Sequence, residues 1–490
     1  MTDQSLGFTS LDYAIVVLYV VGIALFGIWQ GGRQTSSRDY FLGKDKLPWW
    51  LVCFSIVAAE TSALTFISIP GLAYLTNLNF LQVTFGYLIG RIVISYVFLP
   101  RYYAGELSTA YAFLEHRFGP TTRRTASTVF IFTRIAADGV RLFATAIPLK
   151  LILDVDYATA IIILACVSLV YTFFGGVKGV IWVDAVQMVI YIGGALAAII
   201  IGVTGSPDGI GSAFSLATAD GKFTVINMGL LSGFFQQPYT LIAGVLGGAF
   251  LSMASHGTDQ LIVQRVLATK SLEAGRKALI GSGIIIVFQF ALFLVLGLFL
   301  YGYYDGLSVE ALGLTRSDEI FPKYIIESLP SGVSGLIIAG LMAAALSTLS
   351  GSISSMSSSV MLDLVRPLTQ MDEEKALRVS RRITVVFAGV LVGSAVLFMN
   401  SSQTVVELAL SIASFTYGGL LGTFLLGLLF PRVPQRAALI GFAAGIGGMV
   451  AVILLKLVAW TWFTLAGVII TITVGWIASK LFATPTPVDE

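Results

Sequence analysis

The stretch that decides the fold reads Val57-Ala58-Ala59-Glu60-Thr61-Ser62-Ala63-Leu64-Thr65-Phe66-Ile67-Ser68-Ile69-Pro70-Gly71. It places a carboxylate, Glu60, and the nearby hydroxyls of Thr61, Ser62 and Thr65 in the middle of an apolar segment that runs from residue 47 to residue 75. An ionised carboxylate is costly to bury in hydrocarbon, so such a residue usually faces a water-filled cavity or a charged partner. The Pro-Gly pair favours a break in the helix, and a break at this depth is tolerated where the freed carbonyls find other partners, including ions. The alternative is a kinked packing helix whose hydroxyls bond to its own backbone.

The composition around this stretch is that of a polytopic membrane protein. Of 490 residues, 56% are hydrophobic and 11% are charged, whereas a soluble protein has about 25% charged residues. The net charge of +2 excludes a protein that binds nucleic acid through a concentrated basic face. The sequence has no Walker loop, no His-Glu-x-x-His pair and no Gly-x-Ser-x-Gly motif, so neither a nucleotide partner nor an enzyme is expected.

Apolar segments long enough to cross a bilayer predict thirteen spans in a single polytopic domain, residues 1–490. They lie near 11–30, 47–75, 78–100, 124–149, 157–175, 180–204, 236–257, 275–303, 332–362, 379–399, 404–430, 436–457 and 459–481. With the N-terminus outside, 21 of the 29 basic residues fall on the inner side, five on the outer side and three within spans. This asymmetry fits the positive-inside rule, so we predict an outside N-terminus and an inside C-terminus. In the outer connection 304–331, residues 319–329 are typical of a short interfacial helix.

Three further features inside the predicted membrane need an explanation. The ninth span has nine hydroxyl residues among the thirteen from Ser347 to Ser359, which suits either close helix packing or a hard monovalent cation. Asp184 lies near the start of the sixth span. It is either a functional carboxylate or an aspartate that interacts with the positive end of the helix dipole. Arg134, Asp138 and Arg141 share one helical face, where they form either an internal ion-pair ladder or a site for a substrate carboxylate.

The seventh span is weakened by Gly244, Gly247 and Gly248. Spans two and seven are therefore both expected to be interrupted, five spans apart. Interrupted helices at corresponding positions of two halves are typical of a secondary transporter built from inverted repeats, with its site at the midplane.

Four segments, taken together, resemble the sodium:solute symporter family, over residues 10 to 430. They are Gly257-Thr258-Asp259-Gln260-Leu261-Ile262-Val263-Gln264-Arg265, Gly175-Gly176 through Trp182, Asp184 and Gln187, the run from Ala344 to Ser350, and Phe424-Leu425-Leu426-Gly427-Leu428 before Pro431-Arg432. The resemblance implies an all-α integral membrane protein with a LeuT-like fold. Spans 2–6 and 7–11 would form two inverted five-helix repeats, and spans 1, 12 and 13 would be peripheral.

The resemblance also implies sodium (Na+) as the coupling ion. A sodium site shared by the family would use backbone carbonyls of Ala58, Thr61 and Ala344 and the hydroxyls of Ser347 and Thr348. Some members bind a further sodium ion through an aspartate matching Asp184 and two adjacent hydroxyl residues. Those two positions are Ser350 and Gly351 here, so one hydroxyl is missing and the number of ions is open.

Positions that contact the substrate in sialic-acid-type members match Glu60, Ser62 and Thr65, and Glu60 is a departure because a neutral hydroxyl residue stands there in those members. An acidic group would disfavour a plain anion unless Arg134 or Arg141 balances it, and would favour a substrate with an amine or several hydroxyls. The same resemblance adds Gln82 and Thr84 in span three and Ser411 and Ser414 in span eleven.

These observations predict a sodium-coupled symporter that imports a small polar organic solute by alternating access across the bacterial plasma membrane. An amino acid, a sugar acid, an amino sugar or a similar solute is compatible with them. The expected partners are sodium, the solute and the lipid bilayer, with the chain working as a monomer. The alternatives are a proton-coupled transporter of the same fold, using Glu60 or Asp184, and a transporter-like sensor or channel.

Overall fold

The structure is all-helical over the residues that it describes. The computed structural model describes residues 8–43, 46–105, 107–153, 155–206, 209–229, 233–399 and 405–482. Its α-helices are, in chain order, α1 (Ser10–Gly31), α2 (Ser37–Leu42), α3 (Trp49–Glu60), α4 (Ala63–Leu75), α5 (Leu81–Val97), α6 (Leu99–Ala104), α7 (Ala112–Phe118), α8 (Pro120–Leu153), α9 (Tyr157–Gly205), α10 (Ile210–Ala219), α11 (Leu241–Gly257), α12 (Gln260–Leu267), α13 (Leu272–Tyr303), α14 (Ile320–Ser328), α15 (Val333–Ser359), α16 (Glu373–Phe398), α17 (Val405–Leu429), α18 (Gln435–Leu454) and α19 (Phe463–Leu481).

Short helical turns and one bridge complete the secondary structure. The 3₁₀ turns are Ser317–Glu319, Arg366–Leu368 and Trp460–Trp462, and a π turn, Val360–Val365, extends α15. Leu47 and Thr269 form an isolated parallel β-bridge, and strands are absent from the described ranges.

The second predicted span is broken between α3 and α4, which are bent by 64°. The break falls at Thr61 and Ser62, where the Ser62 hydroxyl accepts a hydrogen bond from the backbone N–H of Thr65 and caps α4. A serine that caps a new helix competes with continuation of the old one. The Pro-Gly pair expected to cause the break lies inside α4 instead. A Cβ on Gly71 would lie 2.5 Å from the carbonyl oxygen of Ser317, so this glycine allows the Ser317–Glu319 turn to pack on α4.

The seventh predicted span is also broken, between α11 and α12, which are bent by 61°. The break lies at Thr258 and Asp259, where the Asp259 carboxylate accepts from the backbone N–H of Leu261 at 2.9 Å. The expected cause was wrong, because the three glycines of this span lie in the continuous part of α11. They bring α11 close to its neighbours: a Cβ on Gly248 would lie 2.3 Å from the carbonyl oxygen of Val83 in α5.

A third interruption divides α9, which covers predicted spans five and six. Gly176 has φ 57°, in the left-handed region that favours glycine, and a Cβ there would lie 2.8 Å from the carbonyl oxygen of Tyr40.

By length and apolarity, eight helical segments of the described chain can cross a membrane, or ten if each of the two bent pairs is one span. The long helix α9 is counted once in both numbers. The thirteen crossings and the outside N-terminus remain predictions. A helix is present near 319–329, as α14, and its position at the membrane interface stays a prediction.

The core of the bundle is α15: of the residues in its apolar, membrane-length stretch, 94% are buried. It packs against α9, α1, α8 and α3. Its many small residues allow this close packing on all sides. The break between α3 and α4 therefore lies beside the most buried of the membrane-length helices in the described chain.

Gly248 offers a test of the contact between α5 and α11. We expect Gly248→Ala to lower the stability by about 1–3 kcal/mol, because overpacking a filled contact costs that much and the new Cβ meets backbone rather than a movable side chain. Gly193→Ala is the matched control, since no atom lies within 4 Å of a Cβ there. A helical Gly→Ala change in open space stabilises by up to about 1 kcal/mol. Thermal unfolding in detergent measures both variants, and equal stability of the two would contradict the packing described.

Candidate functional site

A cavity of about 360 Å³ follows α4 from the break toward its C-terminal end. Ser62, Thr65, Ile69, Leu72 and Leu75 line it at helical spacing along one face of that helix. At 1.5 Å per residue this face is about 20 Å long. The cavity thus begins at the helix break and ends where α4 ends.

The polar and aromatic parts of the cavity wall come from several helices. The charged or hydroxyl-bearing side chains are Glu60, Ser62, Thr65, Ser68, Arg134, Arg141, Ser255, His256, Ser317 and Asp318. The aromatic side chains are Phe80, Tyr87, Tyr239, Phe290 and Tyr417. Asp318 follows directly on the Ser317 contact with α4, and burial raises the pKa of its carboxyl group.

Glu60, the residue that departs from the family pattern, is neutralised inside the protein. Its Oε2 forms an ion pair with Arg91 of α5, whose side chain is 0% exposed and also donates to the Ser282 hydroxyl at 2.8 Å. The Nε2 atom of His256 lies 3.5 Å from the same Oε2. The sequence led us to expect Arg134 or Arg141 as the balancing charge, and the structure assigns that role to Arg91 instead.

The three charged residues on one face of α8 take different parts. Arg134 pairs with Asp138 and with Asp259, each at 3.1 Å, and Asp259 also accepts from the Tyr417 hydroxyl at 2.7 Å. Asp138 is 1% exposed, lies behind the cavity wall and pairs with both arginines. The ion-pair ladder is therefore present, and it fixes α8 to the break between α11 and α12.

Arg141 ends this ladder and has donors to spare. Its Nη1 contacts Asp138 at 3.1 Å, while the side chain is 22% exposed and lines the cavity. Among the described residues, its remaining N–H groups have no acceptor. A guanidinium held on one side and open on the other can form two parallel hydrogen bonds with a carboxylate.

The residues expected to hold sodium lie where the broken helix meets α15. A helix end leaves its last carbonyls without partners in the helix, so the break exposes those of Ala58 and Thr61. Thr348 donates to the carbonyl of Ala344 at 3.1 Å, and Ser347 donates to Asp184 at 2.7 Å. Asp184 also accepts from Ser55 of α3 at 2.6 Å, which ties α3 to α15. A second, water-sized cavity of about 10 Å³ touches Ser62 and Thr348.

The carboxylate proposed for a further sodium ion is already paired. Arg265 of α12 contacts Asp184 Oδ2 at 2.9 Å, and both side chains are buried. Ser350, the other predicted ligand, donates to the carbonyl of Ser347 at 3.1 Å. At Gly351 a Cβ would lie 2.6 Å from the guanidinium of Arg265. The missing hydroxyl of the sequence thus corresponds to the place where this arginine packs.

Gln82 and Thr84, two of the remaining predicted substrate residues, do not line the cavity. Gln82 donates to the carbonyls of Asn79 and Tyr239 and accepts from the N–H of Asn227. Thr84 is buried and donates to the carbonyl of Leu81. The side chains of Ser411 and Ser414 lie outside the described residues.

The hydroxyl run of α15 is largely occupied by the bundle itself. Ser352 donates to Asp138, and Ser354 and Ser358 accept from glutamine side chains of α12. Sequence reasoning missed His256 and Asp318 as members of the cavity wall. His256 could have been found from the sequence, because an ionisable residue inside a span is a candidate site residue. Asp318 could not, because it lies in a loop.

Comparisons with known proteins agree with this arrangement. The model of the sodium:solute symporter family matches residues 40–445. A sodium/sialic acid symporter of Aliivibrio fischeri is 27% identical over 100% of this chain and 96% of its own length. One from Proteus mirabilis is 26% identical over 97% and 96%. The human sodium/iodide cotransporter is 26% identical over 91% of this chain and 70% of its own.

Two solved structures share the fold. A sodium-coupled sialic acid symporter, described as substrate-bound and outward-open with a novel sodium site, has a TM-score of 0.88 at 25% identity and covers 97% of this chain and 99% of its own. The nucleobase-cation-symport transporter Mhp1, in a closed conformation, has a TM-score of 0.57 at 13% identity, over 94% and 97%. The second likeness concerns the fold alone.

The family match covers most of the chain, and it includes both broken spans and the central helix. The family is one of sodium-coupled transporters and not of enzymes, and the bacterial relatives together with the apolar helices of this chain indicate a multi-pass protein of the inner membrane. The protein belongs to the sodium:solute symporter family and is a sodium-coupled solute symporter of the inner membrane.

Proposed function

We propose that the protein uses the sodium gradient to import a small organic carboxylate. The observation that carries the choice of a carboxylate is Arg141, whose guanidinium is held by Asp138 on one side and faces the cavity with its other donors. Two kinds of relative are named for carboxylate solutes, the sialic acid symporters and a sodium-coupled monocarboxylate transporter. In the predicted orientation the C-terminal end of α4, and with it the cavity, faces the outside.

The break between α3 and α4 would couple the two ligands. Sodium would bind the carbonyls of Ala58, Thr61 and Ala344 and the hydroxyls of Ser347 and Thr348, at the negative end of the α3 dipole. The solute would bind along α4, which begins at the same break. Two ligands that both favour one ordered arrangement must raise each other's affinity, by thermodynamic linkage. A monomer is sufficient for this mechanism, since all the residues named come from one chain.

One sodium ion per cycle follows from the pairing of Asp184. A cation that bound this carboxylate would have to displace Arg265, which is buried and has no second carboxylate within reach in the described chain. Breaking a buried ion pair by removing one partner is strongly unfavourable. The guanidinium therefore takes the place that a further ion would need. Proton coupling is disfavoured for the same reason, because Glu60 and Asp184 both have an arginine as counter-ion.

Uptake into proteoliposomes tests both the coupling and the stoichiometry. We expect N-acetylneuraminate, lactate or L-phenylalanine to be taken up with an inward sodium gradient and not with choline in its place. Sodium activation should show a Hill coefficient of about 1, since cooperativity needs more than one site. Equal uptake with choline at fixed pH would refute sodium coupling. A Hill coefficient of about 2 would refute the single ion and leave the coupling intact.

The double variant Ser347→Ala with Thr348→Ala tests the sodium site. We expect the sodium concentration for half-maximal uptake to rise about tenfold or more, since tenfold corresponds to about 1.4 kcal/mol and two hydroxyl ligands are lost. Ser357→Ala is the matched control, because Ser357 is buried in the same helix and donates only to the carbonyl of Ile353. Unchanged sodium dependence in a folded double variant would show that the site lies elsewhere.

Arg141 tests the carboxylate. We expect Arg141→Gln to raise the KM for the transported carboxylate by about tenfold to a hundredfold, because hydrogen bonds to charged groups contribute about 1.5–3 kcal/mol. Arg141→Lys should fall between, since it keeps the charge and loses the planar fork. Lys277→Gln, which removes an exposed ion pair with Glu273, is the surface control. A KM unaffected by Arg141→Gln would contradict this assignment.

A further inference from the structure

Glu60 and His256 lie side by side in the cavity wall. The Nδ1 atom of His256 is 2.8 Å from the Ser255 hydroxyl, and either of the two can be the donor. A neutral imidazole carries one N–H, so Nε2–H can donate when the hydroxyl donates to Nδ1. Nε2 is 3.5 Å from the Glu60 carboxylate, which is an acceptor only and therefore favours this tautomer.

The Glu60 carboxylate has one oxygen that the protein leaves without a donor. Oε2 faces Arg91 and His256, while Oε1 receives no donor from the described part of the chain. The Glu60 side chain is 17% exposed and reaches the cavity. Polar groups in a protein interior are normally paired, so Oε1 is an acceptor for a donor that enters the cavity.

The other walls restrict what else the occupant can carry. Leu72, Leu75, Phe80, Tyr239 and Phe290 make the part of the cavity beyond the hydroxyls of α4 apolar and aromatic. A body rich in hydroxyls would lose its hydrogen bonds to water there without replacement, and this is unfavourable. An apolar body would gain from burial in the same place.

We propose that Glu60 forms an ammonium-binding subsite, and that the substrate is an apolar zwitterion, with its carboxylate at Arg141 and its body against the aromatic wall. This inference rests on the proposed function, since it assumes the carboxylate site at Arg141. An ammonium has three N–H donors, enough for Glu60 Oε1 and the hydroxyls of Ser62 and Thr65 on α4. Both charges of such a solute meet a partner, and the cavity gains no net charge.

Two other occupants fit the subsite less well. A divalent metal would find only one carboxylate and one imidazole, beside the positive charge of Arg91, and groups of three metal-ligating side chains are absent from the described residues. A proton shared by Glu60 and His256 would satisfy the carboxylate without a substrate amine. It would then have to be carried with the solute or remain bound through the cycle.

Matched probes separate these possibilities. L-Phenylalanine carries both charges, 3-phenylpropanoate lacks the ammonium, 2-phenylethylamine lacks the carboxylate, and N-acetylneuraminate is a polyhydroxylated acid without an amine. Thermal-shift titration of the purified full chain in sodium chloride gives a Kd for each, because a bound ligand raises the apparent stability by mass action. We expect L-phenylalanine to bind at least tenfold more tightly than each of the other three.

Variants of the subsite locate the preference. Glu60→Gln should reduce the ratio of the 3-phenylpropanoate Kd to the L-phenylalanine Kd to within about threefold of unity, since a site loses its discrimination when the group that reads the difference is removed. The charge-balanced double variant Glu60→Gln with Arg91→Gln should do the same. It keeps the test valid if an unpaired Arg91 prevents folding.

Glu273→Gln is the matched control, because it makes the same change of a carboxylate to an amide in an exposed ion pair with Lys277. We expect its ratio to stay at the wild-type value. A fall in that ratio with Glu60→Gln unchanged would overturn the assignment to Glu60. Tight binding of 3-phenylpropanoate, or proton uptake accompanying its transport, would overturn the ammonium subsite in favour of a shared proton. Sodium-driven uptake of N-acetylneuraminate, with no binding of L-phenylalanine, would overturn this inference and leave the proposed function standing.

Discussion

Backbone carbonyls that lose their helical partners at membrane depth are the constraint on which the rest of the structure depends. In hydrocarbon such groups cannot turn to water, so the break at Thr61 and Ser62 requires polar partners around it. The α15 hydroxyls expected at the sodium site already donate within the protein, since Ser347 donates to Asp184 and Thr348 donates to the carbonyl of Ala344. A small cation can then complete what the protein leaves open. The proposed sodium site and the start of the solute cavity therefore both lie at the same backbone groups, which lack helical partners.

Three buried ion pairs join residues that are distant in sequence. Arg91 of α5 pairs with Glu60 of α3, Arg265 of α12 with Asp184 of α9, and Arg134 of α8 with Asp259 at the second break. A lone charge in this environment would be far more costly than a pair with good geometry. The pairs hold the broken helices at fixed positions. Arg141 differs from the other arginines because only one side of its guanidinium is used, and the open side faces the cavity.

How much of this could be predicted depended on whether a feature is local in sequence. The break in span two was predictable because Glu60 and its hydroxyl neighbours are conspicuous in an apolar run, and the family was evident from four segments in order. The cause of each break was not predictable from glycine and proline alone. Ser62 and Asp259 act as caps only because the chain turns there, whereas Pro70 and the glycines of α11 fit within helices. Partners across helices, such as Arg91 for Glu60 and Arg265 for Asp184, lie too far apart in sequence to be paired from it.

The glycine contacts between α5 and α11 have a consequence for how the protein moves. Backbone lies directly against backbone at Gly86 and Gly248, so the two helices cannot slide past each other without collision. They form a stiff unit that carries Arg91 and His256, and Glu60 is attached to it through the ion pair. Arg141 stands on α8, outside that unit. A solute held between Glu60 and Arg141 would therefore contact two bodies that can move separately. The length of the solute would then set how far apart the two bodies are when the transporter closes.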